Sequence, residues 1–331
     1  MSASAIAVAH RTCPDFPASA GLGPSRLAIG LVRPQLRFGR ERASSTILLG
    51  AAILLWGANW PVMKLSLGHV SPLWLSASRF TTGAACLFAW QAMRREMQLP
   101  RRGDLPVVAS VGLLQMMLFT ALGAVAMTRL PAGRSAILSY TTPIWVLPAV
   151  VLMFGERIGR RQWAGIGLAG LGILVLLNPY VIDWRDGQLL GANAMLVAAS
   201  AAWAACILHL RYGRAPSSAI QLAPWQMLLA AAFLVPLAYA VEGPFTGDGT
   251  GAFWACLGFV GPIATAFCFC GVNAASALLP ANATSTLMLA VPVIGLALST
   301  ATLNETLGLD LILGALAIGL GIAASARQAR A

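Results

Sequence analysis

From Gly249 to Asn304 the chain runs for 56 residues without a charged side chain. No water-facing surface tolerates such a stretch, and one helix crossing a bilayer needs only about 20 residues. Leu279-Pro280-Ala281-Asn282 in its middle is a natural break, so the stretch reads as two spans. Uncharged runs come earlier as well: Ala43–Met63, Leu105–Thr128, Ser135–Gly155, Gln162–Ile182, Gly187–Leu208 and Ala215–Val241. Leu311–Ala326 closes the series, and Pro72–Met93 adds a span interrupted only by Arg79. The expectation is an all-α polytopic membrane protein with ten transmembrane helices.

Composition agrees. Of 331 residues 58% are hydrophobic and only 10% charged, against about 25% charged in soluble proteins. That excludes an ordinary cytosolic enzyme. The net charge of +11 would suit a nucleic-acid binder, but the basic residues sit in short clusters between apolar runs, which marks membrane topology instead. With the N-terminus inside, 17 of the 22 basic residues fall on the cytoplasmic side. Asp183, Asp186, Glu242, Asp248, Glu305 and Asp310 lie toward the other side. Both termini are therefore expected in the cytoplasm, with the chain in a bacterial inner membrane. Residues 1–43, with six arginines and no long apolar run, read as a flexible basic cytoplasmic tail. They lack the apolar core and cleavage site of a secretory signal. Residues 327–331 form the cytoplasmic C-terminus.

The chain also matches itself at an offset of 149 residues. Leu130-Pro131-Ala132 falls on Leu279-Pro280-Ala281, Pro143 on Pro292, and Gly155-Glu156 on Asn304-Glu305. Gly165, Gly170 and Gly172 fall on Gly314, Gly319 and Gly321. The halves are spans one to five (44–183) and six to ten (187–326). Because five is odd, the second half inserts upside down. Inverted repeats of this kind build many secondary transporters, with the site between the halves.

These features resemble the drug/metabolite transporter superfamily, and within it the EamA-type permeases. The resemblance covers residues 46–326. It rests on Leu55-Trp56-Gly57-Ala58-Asn59-Trp60, on Arg79-Phe80, on Pro143 with Phe154-Gly155-Glu156-Arg157 and the glycines to Gly172, and on the second copy from Pro292 to Gly321. It implies two EamA-like repeats forming a carrier that moves a small metabolite or drug, often outward. An uptake permease of the same fold, or a non-transporting scaffold or sensor, is the alternative.

Polar and aromatic side chains inside spans turn toward a bundle's interior. Asn59, Trp60, Arg79, Gln115, Tyr140, Trp203, Gln226 and Asn273 are accordingly the candidates for lining a substrate cavity. Arg79 lies about 10 Å into the membrane at 1.5 Å per residue, and no carboxylate lies deep in any span to pair with it. It therefore faces a wet cavity, finds an internal acceptor or snorkels to the interface. Gly165, Gly170, Gly172, Gly314, Gly319 and Gly321 suit close helix packing, internally or in a homodimer. Pro143 and Pro292 belong with them as structural or gating positions. Glu156 and Glu305 stand at span ends, each just ahead of the next helix, where a carboxylate complements the N-terminal dipole. They are expected as caps or hinge anchors. No catalytic or metal-binding set and no cofactor is expected, since His10, His69 and His209 are scattered. The expected partners are a small-molecule substrate and the lipid bilayer, with no nucleic acid.

Overall fold

A computed structural model describes residues 27–176, 186–213, 215–276, 278–279 and 287–326, with side chains from residue 44 to 324. The chain divides into units of residues 1–41 and 42–331, and the bundle described below is the second. All regular structure among the described residues is helical. The segments are α1 (Leu27–Ser66), α2 (Pro72–Met93), α3 (Arg102–Met127), α4 (Ala132–Phe154) and α5 (Arg160–Leu176). They continue with α6 (Gly187–Tyr212), α7 (Ala219–Glu242), α8 (Gly251–Ser276), α9 (Ala290–Leu303) and α10 (Leu309–Ala326). Six are long and apolar enough to cross a membrane: α3, α4, α6, α7, α8 and the Ser44–Ser66 part of α1. Of the basic tail, residues 1–26 lie outside the described residues and the backbone is helical from Leu27. The C-terminal residues 327–331 and most of the Leu279–Asn282 break also lie outside them.

Local chemistry sets the helix ends. Asp186 accepts from the backbone N–H of Gln188 and Leu189 at the start of α6. Ser218 and Gln221 form a reciprocal capping box at the start of α7. Thr250 caps α8 through Phe253 N–H. Pro143, with no N–H to donate, divides α4 into Ala132–Ser139 and Pro143–Phe154. The break is tied to α6, where Ser200 Oγ takes hydrogen bonds from Thr141 Oγ1 (3.1 Å) and Trp145 Nε1 (2.9 Å). Gly155 after α4 and Asn304 after α9 both adopt the left-handed conformation, at φ 66° and 52°. Glycine and asparagine tolerate that geometry best, which explains why these two residue types correspond at the 149-residue offset.

The offset recurs in the backbone. α3 is π-helical over Ser110–Leu118 and α8 over Phe259–Phe267, so both ends of the second segment fall 149 residues after those of the first. The glycines of α5 and α10 face each other. A Cβ on Gly172 would lie 2.8 Å from Gly314 O, and one on Gly321 would lie 2.5 Å from Gly165 O. Only glycine lets the two backbones touch there. Gly170 and Gly319 have open space instead.

Hydrogen bonds gather the connections at two ends of the bundle. The Glu305 end holds residues 67–71, 128–131, 243–250 and 304–308. The Glu156 end holds residues 94–101, 155–159 and 213–218.

Candidate functional site

Trp56, Asn59, Trp60 and Met63 recur at helical spacing on one face of α1, and this face looks into the middle of the bundle. Opposite stand Gln115, Met116, Phe119 and Thr120 of α3 and Ala264, Thr265 and Phe269 of α8. Arg79 and Phe80 of α2, Tyr140 at the break in α4, and Trp203 of α6 complete a cavity of about 110 Å³. The π-helical segments supply Gln115 and Met116 on one side and Ala264 and Thr265 on the other, and these pairs again correspond at the offset of 149. A π turn widens the helix and shifts backbone hydrogen bonding, a distortion common at functional sites. Here Trp56 Nε1 donates to Ala264 O at 2.7 Å, and Thr265 Oγ1 donates to Val260 O five residues back.

Among the described residues Arg79 is the only charged side chain on the cavity wall. Its Nε donates to Thr265 Oγ1 at 2.5 Å and its Nη1 to Met63 Sδ at 3.2 Å, with the Phe80 ring 5.6 Å away. No carboxylate pairs with it among the described residues. Asn59 Nδ2 donates to the same sulfur at 3.1 Å, while its buried Oδ1 has no partner among the described residues. Trp203 packs edge-on against Phe119 and Tyr140, with ring centroids at 5.0 and 5.5 Å. No group of three His, Cys, Asp or Glu side chains comes together among the described residues.

Six of the eight polar and aromatic candidates thus meet in one cavity: Asn59, Trp60, Arg79, Gln115, Tyr140 and Trp203. Gln226 and Asn273 line a second one, of about 390 Å³, that shares Trp56, Gln115, Trp203 and Phe269 with the first. Asn273 Nδ2 is taken up by Phe269 O in its own helix (2.7 Å), and Gln226 Oε1 is buried without a partner among the described residues. The residues that sequence reasoning passed over are Trp56, Met63, Phe119, Thr265 and Phe269. Trp56 and Met63 were visible in the spacing of the α1 face. Thr265 had no such signal, because its role depends on Arg79, 186 residues away.

The two ends of the cavity differ. Toward the Glu305 end stands a buried plug of Trp60, Met63, Ala124, Met127, Ala132, Ala136 and Val260. Beyond it, Glu305 accepts from the backbone N–H of Ala132 (2.6 Å) and Gly133 (3.0 Å). Lys64 donates to Met127 O and Leu130 O. Glu242 accepts from Leu73 N–H (2.9 Å), Trp74 N–H (3.1 Å) and Ser71 Oγ. His69 Nδ1 contacts Asp248 at 2.7 Å, and this contact, with Thr250 N–H, holds the Asp248 carboxyl below its usual range. Toward the Glu156 end the second cavity continues to Leu210, Gly213, Ala215 and Ser217. Glu156 there takes hydrogen bonds from Arg211 (2.7 Å) and Tyr212 (2.6 Å). Neither glutamate caps the helix that follows it. Glu305 caps α4 across the bundle, because chain reversal brings that N-terminus within reach, and Glu156 takes cationic and phenolic partners from the end of α6.

An all-helical bundle of bilayer-spanning segments around a polar and aromatic cavity has the build of a membrane transporter. The chain belongs to the EamA-like transporter family, whose sequence pattern matches residues 44–178 and 190–327. It is 25% identical over 279 residues to the uncharacterized transporter YoaV of Bacillus subtilis (strain 168), covering 83% of this chain and 95% of that one. It is 27% identical over 151 residues to a probable amino-acid metabolite efflux pump of Salmonella typhimurium, covering 46% of this chain and 47% of the pump. The uncharacterized inner membrane transporter YedA of Escherichia coli (strain K12) is 27% identical over 164 residues, 45% of this chain and 53% of YedA. A solved crystal structure shares the fold, with a TM-score of 0.59 and 21% identity over 85% of this chain and 95% of that chain.

Proposed function

We propose that the protein is a secondary carrier that exports a small metabolite or drug across a bacterial inner membrane by alternating access. Ten helices in two inverted five-helix halves form it, and the central cavity is the substrate site. The observation that carries this reading is the cavity wall itself. Corresponding turns of both halves build it, and it is sealed toward one end while continuing toward the other. A site on the axis between inverted halves is what alternating access requires.

Arginines at the Glu156 end (Arg94, Arg95, Arg101, Arg102, Arg157 and Arg211) make that end cytoplasmic by the positive-inside rule. The conformation is then inward-facing. Export is favoured by the likeness to a probable efflux pump. A cation and no carboxylate among the described residues of the cavity wall favours exchange or flow down the substrate's own gradient over proton carriage. The glycine seam of α5 and α10 serves an internal contact, so a homodimer would use other surfaces.

The test is uptake of labelled amino acids, nucleosides, sugars and small drugs into proteoliposomes, with and without a pH gradient, beside an Asn59→Ala, Trp60→Ala double variant. Saturable uptake lost in that variant is the expected outcome. Well-folded protein that neither moves nor is thermally stabilised by any compound contradicts it.

A further inference from the structure

We infer that the central cavity selects organic carboxylates with an apolar or aromatic body, and that Arg79 is the residue that binds the carboxylate. The inference rests on the carrier reading for its setting but on separate observations for its content. Arg79 presents five N–H donors, of which the structure occupies two, one on a hydroxyl and one on a thioether sulfur. Sulfur is a weak acceptor, and no described carboxylate is paired with the guanidinium. A cation lodged among aromatic walls without a counter-ion carries a desolvation cost that an incoming anion offsets and an incoming cation adds to. The planar fork of N–H groups matches a carboxylate with two parallel hydrogen bonds.

The body of the ligand follows from the rest of the wall. Trp56, Trp60, Phe119, Tyr140, Trp203 and Phe269 supply broad aromatic faces, which no inorganic anion would use. A third feature is the unpaired Asn59 Oδ1. Arg79 Nη1 and Asn59 Nδ2 both lie within 3.2 Å of Met63 Sδ, so the cation and the orphan acceptor are near neighbours. One small molecule can reach both, setting its carboxylate on Arg79 and an N–H or O–H donor on Asn59. Thr265 fixes the guanidinium at its Nε. Its hydroxyl accepts from Arg79 Nε while donating its own proton to Val260 O, and the π turn places that carbonyl within reach.

The experiment uses matched triplets on one body: 3-phenylpropionate, 3-phenylpropanamide and 3-phenylpropylamine, with indole-3-propionate, its amide and its amine as a second set. Binding is read from tryptophan fluorescence and thermal shift of the full-length protein in detergent, for wild type, Arg79→Lys and Arg79→Gln. Each carboxylate is expected to bind at least about tenfold more tightly than its amide or amine. Arg79→Gln should erase that preference, bringing each acid to the affinity of its amide in the same variant, and Arg79→Lys should retain part of it. Amides or amines that bind wild type as well as the acids overturn the inference. So does failure of both acids to bind at about 10 mM. Should Arg79→Gln not fold, Arg79→Lys together with the wild-type triplet ratios decides the matter. Flux of the same triplets in proteoliposomes separates the two levels. Acid-selective binding without flux contradicts the carrier reading alone, and flux without acid selectivity contradicts the role of Arg79 alone.

Discussion

The Glu305 end and the Glu156 end use carboxylates in opposite ways. At the Glu305 end, Glu305 and Glu242 each accept from two consecutive backbone N–H groups of a helix in the other half. Those donors are fixed by the helix, carry its positive end and have no intrahelical partner of their own. At the Glu156 end, Glu156 pairs with two side chains, and the Arg211–Glu156 pair is 45% and 37% exposed. Exposed ion pairs contribute little, because solvent screens them and long side chains lose entropy in making them. The protein therefore closes one end with directional, partly buried bonds over a packed plug, and secures the other with bonds that solvent competes for. The sealed end and the end reached by the second cavity differ in the way the proposed inward-facing conformation requires.

Breaking the strong end should have the largest effect. Glu305→Ala frees Ala132 and Gly133 N–H and removes two charge-assisted bonds, worth together about 3–6 kcal/mol. Stability in detergent should fall accordingly, and a cysteine placed at Met127, fully buried in the plug, should react with maleimide at least about tenfold faster. Glu242→Ala should act in the same direction on the α2–α7 contact, losing about 1–2 kcal/mol by thermal denaturation while the Ala132 cap persists. Glu156→Gln, at the weak end, should cost less than about 1 kcal/mol, and added salt should shrink that loss further. The smallest effect belongs to Asp248→Asn. Folding holds this carboxyl below its ordinary range, so its contribution is complete above the unfolded value, near 3.9, and is lost as pH falls through the lowered one. A slight drop in melting temperature at pH 7 should therefore disappear in strong acid. An equal gap between Asp248→Asn and wild type at both pH values would remove His69–Asp248 from the closure.

Much of this arrangement is readable from residues alone. Hydropathy locates Pro72–Met93 at the observed bounds, and the 149-residue offset pairs Gly155 with Asn304, the two residues that turn out to share a left-handed conformation. Polarity within apolar spans singles out Arg79 and Asn59, because such groups turn inward wherever lipid is the alternative. Other features follow from tertiary contact, which has no local mark. Dipole reasoning assigns Glu305 to α10, its neighbour in sequence, whereas the bundle presents it with the N-terminus of α4. The π segments shift hydrogen bonds by one residue without any distinctive composition, so the placement of Thr265 against Arg79 is invisible in the chain. Gln226 and Asn273 are polar in apolar helices like the others, yet their positions along α7 and α8 carry them past the central cavity into the one beside it.

The central claim is that one cavity between two halves is sealed at the Glu305 end and reachable from the Glu156 end. Gln115 lines both the central and the adjoining cavity, so Gln115→Cys in a cysteine-free background reports access directly. Its labelling by a membrane-impermeant maleimide would be compared in inside-out and right-side-out vesicles. The account predicts rapid labelling in inside-out vesicles and little in right-side-out ones, with the Glu305→Ala change restoring labelling in the latter. Equal labelling from both faces, or faster labelling in right-side-out vesicles, would contradict it.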